Sequence, residues 1–276
     1  MRGIVIAKRF RRAMALGVTL LVFWPGGESA VSAQQKDIQQ QLSMLLKNKA
    51  IRLKSFINSD KLDFDVNSQP KYVDITGSWT LYSQILITKV DLSPRRLHLS
   101  GLRVVSHFDP KLKKLVESKS DVKVSLYLDL QKDATFAEIE GALAKLLVGP
   151  EGLIPYVPHY WKKYFGGTNN QKPCGQTGTP SPAPRGGTVV NPVVISRLEP
   201  EYSEMARRFL LEGTVQIQVE ITEKGDIGVM NILVPAGAGF DEAAVESIAQ
   251  WKFKPATLNG SPVCMMSTVT VNYRRH

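Results

Sequence analysis

Thr214-Val-Gln-Ile-Gln-Val-Glu-Ile221, then Lys224-Gly225-Asp226, then Ile227 to Val234, reads as a strand, a tight turn and a returning strand. Successive strand side chains alternate between faces, so Val215, Ile217, Val219 and Ile221 point inward and Gln216, Gln218 and Glu220 outward. The neighbours of this hairpin follow. Glu204 to Leu211 makes a short helix that ends at Gly213. Asp241 caps a second helix, on which Ala244, Val245, Ile248 and Trp251 share a face, and Pro255 stops it. Asn259-Gly260 turns the chain into a last strand, Val263 to Tyr273. The order helix, hairpin, helix, strand predicts a three-stranded antiparallel sheet with two helices on one face, and an α+β class.

Upstream, Gly166 to Gly187 is dense in Gly, Pro, Ser, Thr and Asn. That composition predicts a flexible linker between a domain at 188–276 and a β-rich α+β domain at 34–165. In the latter, Gln34 to Lys54 has helical spacing and Lys61 to Val66 alternates. Trp79 to Val90 reads as a long strand, paired through the turn Asp91 to Arg96 with Leu97 to Val105. Val122, Val124, Leu126, Leu128 and Leu130 share a strand face. Thr135 and Glu138 form a capping box before a helix over Phe136 to Val148. The aromatic run Tyr156, His159, Tyr160, Trp161, Tyr164 and Phe165 closes the domain. Packing onto the chain's own sheet is its expected role, and peripheral membrane contact helped by Lys162 and Lys163 is the alternative.

The chain opens with Arg2, Lys8, Arg9, Arg11 and Arg12, an apolar run from Ala13 to Trp24, the breaker Pro25-Gly26-Gly27, and Ala30-Val-Ser-Ala33. This is the layout of a secretory signal over residues 1–33, with cleavage after Ala33. The apolar run falls short of the roughly 20 residues a spanning helix needs. The expected location is therefore the periplasm, with an inner-membrane anchor facing the periplasm as the alternative. The leader holds five bases and Glu28, so the remainder keeps +6 of the net +10. On an exported chain that charge points away from nucleic acid as a partner. Cys174 and Cys264 are the two cysteines, and an oxidising compartment permits a bridge between them. Cys264 alternates against Val263 and Met265 and so points outward.

Several segments then occur in a characteristic order: Pro200-Glu-Tyr202, Met205-Ala-Arg-Arg208, Glu212-Gly-Thr-Val215, Lys224-Gly-Asp-Ile227, Phe240-Asp-Glu-Ala-Ala244, Trp251-Lys-Phe-Lys-Pro-Ala256 and Asn259-Gly-Ser-Pro-Val263. Residues 192–274 thereby resemble the C-terminal domain of TonB-family energy transducers, while residues 34–165 resemble no family we recognise. The resemblance implies an envelope protein that takes an extended peptide, such as one on an outer-membrane receptor, as an added strand. The matching surface is the last strand, Ser267, Thr268, Val269, Thr270, Val271, Asn272 and Tyr273. The alternative is that this edge is covered by the chain's own tail or by a second copy in a homodimer.

No catalytic or cofactor pattern emerges. His98, His107, His159 and His276 are scattered, without the clustered ligands a metal site needs. Ser106, His107 and Asp109 adjoin in sequence, but triads are assembled in space. No Gly-rich loop opens a helix after a strand. The expected function is a non-enzymatic interaction adaptor without cofactors. Two alternatives stand beside it: an energy transducer with a retained anchor, and a carrier holding an apolar ligand in the first domain.

Overall fold

The computed structural model describes residues 27–72, 78–149, 152–174 and 187–274. The expected leader up to Gly26 and the linker residues 175–186 lie outside the described residues. The described residues form the α-helices α1 (Gly27–Leu46), α2 (Trp79–Tyr82), α3 (Phe136–Leu146), α4 (His159–Lys162), α5 (Glu204–Arg208) and α6 (Phe240–Ile248). The first strands are β1 (Ala50–Arg52), β2 (Lys61–Phe64), β3 (Gln84–Ser93), β4 (Arg96–Asp109) and β5 (Lys114–Asp129). Then come β6 (Val189–Val190), β7 (Val193–Ser196), β8 (Gly213–Ile221) and β9 (Ile227–Val234). The last are β10 (Lys252–Lys254), β11 (Ala256–Leu258), β12 (Ser261–Val263) and β13 (Met265–Tyr273). By compactness the chain divides into two units. One comprises Met1–Ser78, Tyr82–Val105 and Ser118–Leu153, the other Trp79–Leu81, Ser106–Glu117 and Ile154–His276. These divisions differ from boundaries at 165 and 187.

The first unit holds a five-stranded sheet in the order β1-β3-β4-β5-β2. β3 pairs antiparallel with β1 and β4, and β2 runs parallel to β5. Leu42 and Leu46 of α1 and Ile139 and Leu143 of α3 pack with Ile85, Ile87, Leu97, Leu99, Leu126 and Leu128 of the sheet. The capping box holds: Thr135 accepts the Glu138 N–H, and the Glu138 carboxylate accepts the Thr135 N–H at 2.8 Å. α1 ends eight residues before the expected Lys54, because Asn48 takes a left-handed φ of 60° and Ile51 pairs with Ile85. The strand expected from Trp79 begins only at Gln84. Tyr82 donates its N–H to the Ser78 carbonyl, closing a helical turn, and Arg103 donates to the carbonyls of Ile57, Ser59 and Tyr82.

In the second unit β8 is the centre of a three-stranded antiparallel sheet, β13-β8-β9. Val215, Ile217, Val219 and Ile221 are fully buried. Of the two helices, α5 contributes Met205 and Ala206 to the core, and α6 packs on β8 and β9. Short pairings that periodicity did not predict join β7 to β10 and β11 to both β6 and β12. They change the reading of the Trp251–Pro255 stretch. The helix ends at Ile248, Lys252–Lys254 is a strand, and Pro255 separates β10 from β11 rather than stopping a helix. Trp251 lies beyond the helix, donating its indole N–H to the Leu198 carbonyl at 2.9 Å. Gly225 is required in the hairpin turn: its φ is +81°, and a Cβ would collide with the Phe253 carbonyl.

Asp241 is not a helix cap. Gly239, with φ 82°, holds that position, and Asp241 lies fully buried in the first turn. Its carboxylate accepts the N–H groups of Ala236 at 2.9 Å and Gly237 at 2.6 Å. Burial, and after it the adjacent Glu242 carboxylate, hold the Asp241 carboxyl above the usual carboxylate range, against those two hydrogen bonds. The loop so shaped carries a short ladder: Phe108 donates to the Ala236 carbonyl at 2.7 Å and Ala238 to the Ser106 carbonyl at 2.6 Å.

Candidate functional site

A small open sheet has two edges, each a row of backbone donors and acceptors that must be paired, covered or wetted. Here the two edges are treated differently. Around β9 the aromatic segment folds back. Trp161 of α4 is fully buried and donates its indole N–H to Glu242 Oε1 at 3.1 Å. Its ring lies 5.2 Å from that of Trp79 and 5.9 Å from Phe165. The aromatic run packs internally, but against β9 and α6 of the second unit rather than on the sheet of residues 34–165 that it was expected to close. α4 packs against β9, and beyond it the Asn169 amide donates to the Met230 carbonyl at 2.9 Å and to Asn231 Oδ1 at 3.0 Å.

From there the chain crosses the sheet face opposite the inward residues. Lys163 donates to Gln218 Oε1 at 2.8 Å, and the Cys174 N–H to Glu220 Oε1 at 2.8 Å. Cys174 is joined to Cys264 by a disulfide, with the Cα atoms 6.1 Å apart. Residues 161–174 therefore form a strap running from the β9 edge across β8 to the start of β13. Glu220, on the expected outward face, is only 1% exposed because this strap covers it. The expected linker included residues 166–174, which instead make these specific contacts.

β13 pairs along its whole length with β8, from Met265 opposite Ile221 to Tyr273 opposite Gly213. Among the described residues no strand pairs with its other side. The seven candidate residues divide by parity. Val271 and Tyr273 are buried, and Tyr273 stacks on Phe240 at 4.2 Å while its hydroxyl donates to the Phe240 carbonyl at 3.0 Å. Burial, with the Asp241 and Glu242 carboxylates nearby, pushes the Tyr273 hydroxyl well above its ordinary pKa. Thr268, Thr270 and Asn272 are exposed, and Ser267 and Val269 half-buried. Asn272 Oδ1 accepts the Thr214 hydroxyl at 2.8 Å across the pair. The inward residues anchor the strand, and its outer row of Thr268, Thr270 and Asn272 is exposed among the described residues. The expected strand start at Val263 is shortened, since Cys264 separates β12 from β13.

Elsewhere the polar groups have local roles. His98 stacks on Tyr127 at 4.4 Å, and burial lowers the pKa of His107 and His159. Among the described residues no three or more His, Cys, Asp or Glu side chains gather as a metal site. A pocket lined by Ile38, Leu92, Pro94, Leu130 and Ala134 holds about 90 Å³. Pockets for small ligands run to roughly 300 Å³ and above. No described helix is long and apolar enough to cross a membrane.

Residues 199–274 match the family model described as the Gram-negative bacterial TonB protein C-terminal. Protein TonB of Vibrio cholerae serotype O1 is 31% identical over 114 residues, which take in 39% of this chain and 45% of that protein. The chain therefore spans less than half the length of this relative. The solution NMR structure of the Pseudomonas aeruginosa TonB C-terminal domain is 23% identical, with a TM-score of 0.27, over 31% of this chain and 88% of that one.

Proposed function

From a C-terminal segment of the TonB C-terminal family, we propose that this chain is an exported, non-enzymatic adaptor of the cell envelope. It captures an extended peptide of an envelope protein, such as an outer-membrane receptor, as a fourth strand on the outer edge of β13. One observation carries the reading: among the described residues α4 and Asn169 lie against β9, while no strand pairs with the outer side of β13 from Ser267 to Tyr273. Backbone hydrogen bonds would supply affinity, and the alternation of Thr268, Thr270 and Asn272 against Val269 and Val271 would set register.

A photo-crosslinking residue at Thr268 should capture an envelope protein, and Thr270→Pro should reduce that adduct at least ten-fold, because a proline removes a ladder bond without emptying the core. Asn272→Pro repeats the test at the next outward position. Adducts of undiminished yield in both folded proline variants would sink the edge-strand mechanism.

A second reading is an energy transducer with a retained anchor. It is favoured by α1, which begins at Gly27 and runs unbroken through the expected cut after Ala33. N-terminal sequencing of the envelope-localised protein separates the two: a start near Gln34 supports the adaptor, and an intact leader supports the transducer.

A further inference from the structure

The β4–β5 hairpin ends in a basic turn. β4 stops at Asp109 and β5 starts at Lys114, which leaves residues 110–113 as the tip. The segment Ser106–Glu117 belongs to the second unit, and its base is fixed there by the bonds from Phe108 to the Ala236 carbonyl and from Ala238 to the Ser106 carbonyl. Pro110, Lys111, Leu112, Lys113 and Lys114 are all exposed, and no acid interrupts them. Leu112 is 58% exposed, whereas Phe108, Leu115 and Val116 on the strands behind it are half-buried. A single apolar side chain thus stands at the apex among three lysines.

The backbone of the tip is set in advance. The Asp109 carboxylate accepts the N–H of Lys111 at 2.8 Å and of Leu112 at 3.0 Å. Two turn donors that an apolar surrounding would orphan are therefore already paired. Lys113 takes a left-handed φ of 51°, a conformation that favours glycine or asparagine, so a lysine is held there against the local backbone preference. The apolar stems of the lysines can lie along a surface while their ammonium groups rise to a more polar level beside Leu112.

A hairpin tip is convex and cannot enclose a small ligand, which takes a concave site. A protein partner would draw its binding energy from a packed apolar cluster, and the tip offers one such side chain. A membrane interface accepts apolar side chains singly, and anionic head groups attract lysines. We propose that residues 110–114 dock on the surface of an anionic phospholipid membrane. Leu112 enters the acyl boundary, and Lys111, Lys113 and Lys114 sit at the level of the phosphates. The Asp109 carboxylate offsets one of the three positive charges, which makes the contact weak and reversible. The tip is not part of β13, so the inference needs no peptide bound there.

The test places a fluorescent apolar amino acid at position 112 of the whole, disulfide-intact chain. The protein is titrated with vesicles of phosphatidylglycerol and phosphatidylethanolamine that carry a spin label on the lipid acyl chain. These vesicles should quench the probe, and phosphatidylcholine vesicles with the same label should not. Quenching should be lost in about 1 M salt, where the screening length shrinks to about 3 Å. The triple variant Lys111→Gln, Lys113→Gln, Lys114→Gln should need roughly a hundred-fold more lipid for half-quenching, at about five-fold for each lysine. That variant also separates the tip from any contribution of residues 1–33, and circular dichroism confirms its folding. A probe that anionic vesicles leave unquenched, or a triple variant with an unchanged lipid requirement, would overturn the proposal. Quenching by a label on the head group but not by one on the acyl chain would also overturn it, leaving a general site for polyanions such as acidic proteins.

Discussion

The β9 and β13 edges flank the same central strand, yet among the described residues an upstream strap packs against one and no strand pairs with the outer side of the other. β9 receives α4 against it and Asn169 on its Met230 carbonyl, while among the described residues β13 pairs with β8 and no other strand. The contrast shows that a sheet edge is closed here by chain that comes from far away in sequence. Trp161 and Glu242 are 81 residues apart, and Asn169 and Met230 are 61 apart.

The comparison can be broken from its closed side. Trp161→Ala should have the largest effect, destabilising the second unit by about 3–5 kcal/mol in urea unfolding, because it empties a fully buried indole site and orphans the Glu242 hydrogen bond. Reduction of the Cys174–Cys264 bridge should cost about 2–4 kcal/mol, since the bond spans 90 residues and its loss frees the unfolded chain. Unfolding midpoints that match with and without reductant would mean the strap holds without covalent help. Asn169→Ala should cost about 1 kcal/mol and raise amide exchange along β9. The smallest effect sharpens the contrast: Thr268→Ala on the open edge should change stability by no more than about 0.5 kcal/mol. A larger loss there would show that β13 has a cover of its own.

Much of the second unit was legible because its information is local. The alternation from Val215 to Ile221 reports a face, and Val271 and Tyr273 turn inward as their parity requires. Where the reading failed, a distant partner decided. Glu220 has outward parity but is buried, because Cys174 and its neighbours lie over it. Trp79 has a strand-like context, yet its ring joins the cluster of Trp161 and Phe165 and its backbone makes a helical turn. Asp241 stands where a cap is expected, but Gly239 can take the left-handed cap conformation, which frees the carboxylate to hold the preceding loop. β6 and β7 are too short to show a period, and only their pairing with β11 and β10 reveals them. The candidate edge itself was readable as a strand. That it is the edge left open depends on the strap, which composition had assigned in part to a linker.

The bridge between Cys174 and Cys264 also alters what a protease can do to this molecule. It closes residues 174–264 into a covalent ring, with β13 emerging from the ring as a tail. A single nick anywhere inside the ring, including the Gly- and Pro-rich residues 175–186, cuts the backbone without releasing a fragment. On a denaturing gel the nicked chain should keep its full mass until a thiol is added, and only then fall into two pieces. The same ring means that a cut there would leave β13 covalently tied to the rest of the protein, so backbone cleavage at such a site could not shed it.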